Sequence, residues 1–338
     1  MESLLCQGLP DLAAVTRWRL ANPQPVENGR EAALAMGRSI LRQLMPGGAP
    51  GGAIAVRSSN VGGCARKLYY QRNETPPNGR ERDGRTVATF ATGDAIEGLL
   101  TLALSEALKS GQAASWRLDD VRSATGQASV YYDAKVPGLD TLFPIAGHPD
   151  GLLSVDANDP CIQPWVERYK MTVTDGRVTG AVLEIKSASG FAVKKIQERL
   201  DIGEEGWSPE DGYWWQVQTY MHATRTPLAY CLVLGKDTGT VVGFWMRVNH
   251  GYRDMLSEHL GRVLTGDGPA PRILADGTAI VPSPRAGKLP WQCRFCAYYR
   301  TCWGENLEER ATRDFRGNAA VNLYVGKKNC DEGSETVD

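Results

Sequence analysis

Hydrophobic positions along this chain change their period several times, and each change marks an element. Residues 1–50 carry a helical pattern that breaks near 22–25 and ends in the Gly/Pro-rich stretch 46–52. Ser58 or Ser59 is placed to cap a short helix running through Cys64 to Tyr70. The polar stretch 73–85, with Pro76, Pro77 and Gly79, reads as a loop, and an Ala- and Leu-rich helix follows over about 87–109. Strand signals then take over. Val and Tyr residues mark 128–134. Two short apolar runs within 144–155 flank His148-Pro149-Asp150-Gly151, a turn sequence that predicts a tight hairpin. A second hairpin is expected where 169–174 and 179–187 flank Asp175-Gly176.

Helices are predicted at 192–200, 209–224 and 252–264, and strands at 228–234 and 241–248 about a turn at 236–239. Pro- and Gly-rich loops lead to a cysteine cluster at 293–302, and the polar tail from about 313 to 338 is expected to fray. There is no internal repeat. The order of helix, strands, helices, strands predicts an α/β core with a mixed sheet rather than a regular βαβ series.

A chain of 338 residues has room for a sizeable core, and 42% apolar with 23% charged residues is the composition of a globular protein. The formal net charge of −1 does not favour a nucleic-acid partner, so any basic surface must be local. Residues 57–85 offer one, with Arg57, Arg66, Lys67, Arg72, Arg80, Arg82 and Arg85 against Glu74, Glu81 and Asp83. The first residues lack the pattern of a secretory signal, and no apolar run is expected to span a bilayer, so the chain reads as soluble and cytoplasmic. In a reducing compartment its eight cysteines are expected to be ligands, reactive groups or core residues.

Three acids and a lysine stand out. Asp150 sits at the turn after Pro149, while Glu184 and Lys186 lie two apart on a strand and therefore share a face, with Leu183 and Ile185 facing the opposite layer. A carboxylate that holds a hard cation beside an amine that orients water is chemistry suited to a phosphodiester. Taken singly, Pro-Asp-Gly is also an ordinary turn, and Glu-x-Lys an ordinary solvent-facing stripe. Glu97 lines up with Phe90, Gly93, Leu100, Leu104 and Leu108 on its helix, and an acid on an apolar stripe requires a partner. Gln216 and Tyr220 stand one turn apart on a later helix.

Cys293, Cys296 and Cys302 have ligand spacing, and Cys64, at a helix start among Arg66 and Lys67, is the candidate fourth thiolate. Spacing alone leaves tetrahedral zinc and an iron–sulfur cluster both open. Cys6, Cys161, Cys231 and Cys330 lack such spacing, and Cys231 reads as core.

In their order along the chain these residues resemble the PD-(D/E)XK nuclease superfamily. More narrowly they resemble its RecB-like iron–sulfur branch, which includes the CRISPR-adaptation nuclease and the AddB nuclease domain, and phage-type exonucleases. Cys64 and Arg66 match a cysteine–arginine element, Gly93 and Glu97 a Gly-x-x-x-His element, and Gly147 and Asp150 a Gly-x-x-Asp element. Glu184 and Lys186 match Asp/Glu-x-Lys, Gln216 and Tyr220 match Gln-x-x-x-Tyr, and the cysteines at 293, 296 and 302 close the set. The match runs from Cys64 to Cys302. It departs at Glu97, where the family has histidine, and at 156–164, where the stretch between the two acids is long.

The resemblance implies an α/β fold with a restriction-endonuclease-like core, a central mixed β-sheet flanked by helices, and an iron–sulfur-stapled helical segment. The implied organisation is an N-terminal helical extension (1–50), a nuclease domain (51–312) and a flexible tail (313–338). Asp150, Glu184 and the Ile185 carbonyl would bind Mg²⁺ or Mn²⁺ with Glu97 as a third acidic ligand, and Lys186 would position water. Gln216 and Tyr220 would shape the pocket or hold the phosphate. Cys64, Cys293, Cys296 and Cys302 would carry a [4Fe–4S] cluster, with zinc as the alternative. Arg57, Arg66 and Lys67 would track the DNA backbone.

The implied activity is that of a metal-dependent DNA nuclease, an exonuclease in recombination, repair or phage DNA processing. Its partners would be DNA and a recombination or replication protein, in the cytoplasm or, for a phage protein, the host's. A catalytically silent DNA-binding subunit of a recombination complex with the same fold is the second reading.

Overall fold

The computed structural model describes residues 9–26, 56–78, 84–119, 122–123, 126–127, 129–140, 142–266, 268–283, 287–294, 296–313 and 319–325, with scattered positions between 29 and 40. Expectations for the stretch 46–52, for Arg80 and Arg82, and for Cys6 and Cys330 lie outside the described residues.

The centre of the fold is β8 (Arg177–Ala188), a strand of 12 residues buried on both faces through most of its length. It pairs antiparallel with β7 (Gly151–Asp156) and parallel with β9 (Leu228–Gly235). β10 (Val241–Arg247) and β2 (Trp116–Asp119) complete a mixed sheet in the order β10-β9-β8-β7-β2. Side chains alternate across β8 as the period of two requires. Val182 joins the apolar cluster of Val193, Ile196, Val217 and Met221, while Ala181, Leu183 and Ile185 join that of Leu100, Leu104 and Leu108. The helices therefore lie in two layers. Gly190–Asp201 (α6) and Gly212–Thr224 (α7) cover one face, and the long helix Gly84–Lys109 (α4) covers the other.

A second, three-stranded sheet is built from β1 (Val56–Arg57), β5 (Val130–Ala134) and β6 (Phe143–Gly147), with β6 between the other two. Short pairs at Arg122–Ser123 (β3) and Gly126–Gln127 (β4) form their own ladder. The hairpin expected at 148–151 is not formed, because β6 and β7 belong to different sheets. His148-Pro149-Asp150 is instead the corner at which the chain changes sheet. The second expected hairpin survives only as its turn, with a single bridge between Thr174 and Arg177. Ahead of that turn the chain forms α5 (Gln163–Tyr169), opened by a proline in its first turn and closed by Lys170 in the left-handed conformation.

The helix expected from Ser58 to Tyr70 is two helices, α2 (Ser58–Val61) and α3 (Ala65–Arg72). Ser58 is the first helical residue rather than a cap. The break falls at Gly62-Gly63, where a Cβ on Gly62 would press on the Trp215 ring. By length and composition, residues Thr86–Lys109 of α4 suffice to cross a bilayer, contrary to the expectation for the chain. Asp94, Glu97 and Glu106 interrupt the run without lowering its average enough. Leu100, Leu104 and Leu108 of this helix are packed on the sheet, whereas Phe90, expected on the same stripe, is exposed.

The C-terminal part contains α8 (Tyr252–Leu264), the short α9 (Trp291–Arg294) and α10 (Tyr299–Trp303), and an antiparallel pair, β11 (Leu307–Arg313) and β12 (Ala319–Val325). Within the tail expected to fray, Ala319–Val325 is a paired strand. This segment has its own small core of Ile280, Leu289, Tyr299, Trp303, Leu323 and Val325, more apolar than its sequence suggested.

The boundary expected at residue 50 does not set apart α1 (Leu12–Ala21). Leu12 and Ala13 are buried in the α4 layer, the Ala13 N–H donates to Tyr230 Oη (2.6 Å), and Trp245 Nε1 donates to the Pro10 carbonyl (3.1 Å). Leu12→Ala is therefore expected to cost about 2–5 kcal/mol. The urea midpoint should fall with its slope unchanged, whereas a detached extension would leave the midpoint where it was.

Candidate active site

The Ile185 peptide is the meeting point. Its N–H donates to Asp150 Oδ2 at 2.6 Å, which ties the sheet-changing corner to β8. Lys186 Nζ lies 3.3 Å from the Ile185 carbonyl oxygen and is ion-paired with Glu184. Register explains the convergence: Gly151 is opposite Leu183, so Asp150 falls level with Glu184 despite the long stretch between them. That stretch is absorbed by α5.

Glu184 is 1% exposed, and its Oε2 has no hydrogen-bond donor among the described residues. Burial drives its pKa up, Lys186 opposes this, Asp150 and Glu97 push it further, and the net is upward. For Lys186, burial alone would lower the ammonium, but Glu184 and Asp150 more than offset it and the pKa is raised. The two results describe one imbalance. The lysine answers to two acids, whereas Glu184 has a single ammonium against burial and two further carboxylates. Glu97 is the weakest of these influences. It lies on α4, which covers the opposite face and passes Ser187 at Gly93.

Tyr220 is a hub. Its hydroxyl donates to the His148 carbonyl (3.0 Å) and accepts from Gln216 Nε2 (3.0 Å) and Ser58 Oγ (3.1 Å). The phenol is buried, and burial and then the Glu184 charge raise its pKa. Gln216 and Tyr220, expected to shape the pocket or hold the phosphate, here hold the corner that carries Asp150. Gly147 has to be small here, because a Cβ would run into Ser58 Oγ and the Tyr220 ring. His148 itself is exposed, 3.4 Å from Ser129 Oγ. Ser58 and Tyr213, whose ring centroid lies 5.5 Å from Lys186 Nζ, are site residues that the sequence did not reveal. Neither belongs to a motif, and their partners are remote in sequence.

Cys64, Cys293, Cys296 and Cys302 line one cavity of about 230 Å³. Burial, then the neighbouring sulfurs Cys302 and Cys296, push the Cys293 thiol up to about 12; burial also raises Cys64 and Cys296. Donors already point at the sulfurs. Arg272 Nε lies 3.2 Å from Cys302 Sγ, and the Tyr298 N–H 3.5 Å from Cys296 Sγ. Arg66 Nε is committed to the Ala270 carbonyl (2.6 Å), and Lys67 lines the cysteine cavity with its Nζ 3.3 Å from Asn60 Oδ1. Of the three expected DNA-contacting cations, only Arg57 is exposed. Among the described residues, no three His, Cys, Asp or Glu side chains stand close enough to ligate one ion as placed. The donor sets nevertheless suit the expected groups. One offers hard oxygens with an undonated, buried carboxylate oxygen, and the other four thiols met by N–H donors.

No family model matches the chain, and no curated protein matches it. Among solved structures it is similar to that of SSO0001, with 11% identity over 79% of this chain and 93% of that one, at a TM-score of 0.38. It is also similar to an alkaline exonuclease, LHK-Exo, from Laribacter hongkongensis, with 14% identity over 62% of this chain and 86% of that one, at a TM-score of 0.34. The complex of LHK-Exo with dAMP gives 14% identity over the same shares, at 0.33.

A raised carboxylate pKa means that the charged form is disfavoured in the fold. Its stabilising contribution is complete below the unfolded value of about 4.3 and is lost as pH rises through the folded one. In chelator, the wild type should lose thermal stability relative to Glu184→Gln as pH is raised from 5 towards 8, by a few degrees in Tm. Parallel Tm-versus-pH curves for the two proteins would contradict this electrostatic picture.

Proposed function

We propose that this chain is a Mg²⁺- or Mn²⁺-dependent DNA nuclease of the RecB-like PD-(D/E)XK type that hydrolyses phosphodiester bonds from strand ends. The observation that carries the reading is the convergence of two buried carboxyl groups on the Ile185 peptide, one with an oxygen that no donor meets among the described residues, and an amine held beside them. An isolated buried charge is costly unless paired. A divalent cation is the partner that this set of oxygens selects.

Asp150, Glu184 and the Ile185 carbonyl would hold the cation, with Glu97 as the outer acid. When bound, it supplies Lewis-acid polarisation of a phosphoryl oxygen and lowers the pKa of water. Lys186 has its Nζ between the Glu184 carboxylate and the Ile185 carbonyl, so it can donate to an incoming water and orient it toward phosphorus. Gln216, Tyr220 and Ser58 fix the 147–150 corner, and so the direction of the Asp150 carboxylate. In the same reading, Cys64, Cys293, Cys296 and Cys302 carry a [4Fe–4S] cluster that ties the C-terminal segment to the start of α3, with zinc as the second possibility for the same thiolates.

Purified protein should degrade linear DNA with Mg²⁺ or Mn²⁺, and Lys186→Ala and Glu184→Ala should each lower the rate by about 10²–10⁴-fold while remaining folded. Unchanged cleavage in both variants removes the assignment; binding without cutting in any divalent metal supports the silent subunit instead.

For the cysteines, anaerobically purified protein should be brown, with iron and sulfide near four per chain, as a [4Fe–4S] cluster requires. Cys302→Ser should lose the colour. Colourless protein with stoichiometric zinc decides for the tetrahedral ion.

A further inference from the structure

We propose that Phe90, Phe191 and Tyr213 form a stacking platform around the acid site, so that the substrate is an unpaired DNA strand end. The inference deepens the nuclease reading and rests on it.

Each ring is exposed and each is tied to an element of the site. Phe191 is 69% exposed, and it follows Lys186 by five residues, just after β8 has ended and α6 has begun. Tyr213 is 44% exposed and faces Lys186 Nζ, 5.5 Å from its ring centroid. Phe90 is 45% exposed and lies on α4 one turn before Gly93, which packs at Ser187, and two turns before Glu97. Single exposed apolar residues need no explanation. Phe90 shares α4 with Glu97, Tyr213 shares α7 with Gln216, and Phe191 opens α6 directly after the strand that carries Lys186, so the rings are not scattered singly.

The surroundings select the occupant. Lys195 Nζ stands 4.9 Å from the Phe191 ring centroid, as Lys186 stands beside Tyr213, so two rings each have an ammonium at hand. Alternating faces for bases and cations for phosphates are how proteins hold single strands. Tyr213 is also backed by an aromatic ladder. Its ring lies 5.2 Å from buried Trp207, which meets Phe244 edge-on at 5.1 Å. A ring held in this way is ready to stack without further ordering. In a duplex the base faces are already occupied by their neighbours, so such a platform discriminates in favour of unpaired nucleotides.

The test measures fluorescence anisotropy in Ca²⁺ with three labelled probes: an oligothymidylate, an abasic strand of the same length, and a blunt duplex. The proteins are Glu184→Gln and the same protein carrying Phe191→Ala, Phe191→Trp or Tyr213→Ala. Each alanine should weaken oligothymidylate binding about five- to 150-fold, the range of one base–ring stack. The abasic strand should bind weakly and alike to all, and Phe191→Trp should keep the affinity.

Undiminished oligothymidylate binding by both alanine variants overturns the platform, as does an equal loss on the abasic strand. A change of oligomeric state in Phe191→Ala on gel filtration overturns it too, since the patch would then be a protein interface. In those cases, continued cutting of DNA by the wild type leaves the nuclease reading standing. A wild type that neither binds nor cuts any DNA removes that reading, and the platform with it.

Discussion

The crowding of buried carboxyl groups beside the Ile185 peptide is the constraint on which the arrangement around it depends. One ammonium, Lys186, faces Glu184 and Asp150, with Glu97 beyond. Carboxylates in so dry a place repel one another more strongly than they would in water. They can be kept there only on a backbone that does not relax. The central strand provides this, being paired with β9 through the acid positions and with β7 up to Leu183. The Ile185 N–H spends its hydrogen bond on Asp150 instead of on a strand neighbour, which lets a residue outside the sheet share the rigidity of β8.

The same demand explains the polar hub at Tyr220. A corner between two sheets has no ladder of its own, so the His148 carbonyl is satisfied by a side chain from α7, which is in turn steadied by Gln216 and Ser58. Ser58 opens α2, and beyond the Gly62-Gly63 break lies Cys64. The Ala65 N–H donates to the Ile273 carbonyl (2.9 Å), so the start of α3 is also anchored on the C-terminal segment. The acid site and the cysteine cavity therefore stand at two ends of one short stretch of chain.

Much of this was legible in the sequence wherever it depended on local period. α8 runs over the expected residues, β9 and β10 pair as read, and the two-residue spacing put Glu184 and Lys186 on one face. The errors share a physical cause. Pro149-Asp150-Gly151 has the chemistry of a turn, and a turn between paired strands looks the same in sequence as a corner between sheets. β11 carries little apolar alternation, with Glu308 and Arg310 on one face and Glu309 bonded to Tyr299 and Arg300 on the other, although Val321, Leu323 and Val325 do alternate in β12. Ser58 looked like a cap because its partner, Tyr220, is 162 residues away. Arg66 and Lys67 looked free because the Ala270 carbonyl and the cysteine cavity that claim them are set by tertiary packing.

That last point bears on how a polyanion could be held at all. Affinity for DNA built on phosphate contacts needs several free cations and falls steeply with salt. This chain has a formal net charge of −1, and the basic run near Cys64 has Arg66 spent on a carbonyl and Lys67 turned to the cysteine cavity. Among the described residues of that run Arg57 is exposed, whereas Arg66 and Lys67 are half-buried. Under the proposed function, terms other than contacts from Arg66 and Lys67 gain weight. The terms that remain are those that do not depend on counterion release: the cation shared between carboxylates and phosphate, and the faces of exposed rings. If the chain acts as the proposed nuclease, the exposed rings Phe191 and Tyr213 near the end of β8 are where a strand end would be held by its bases.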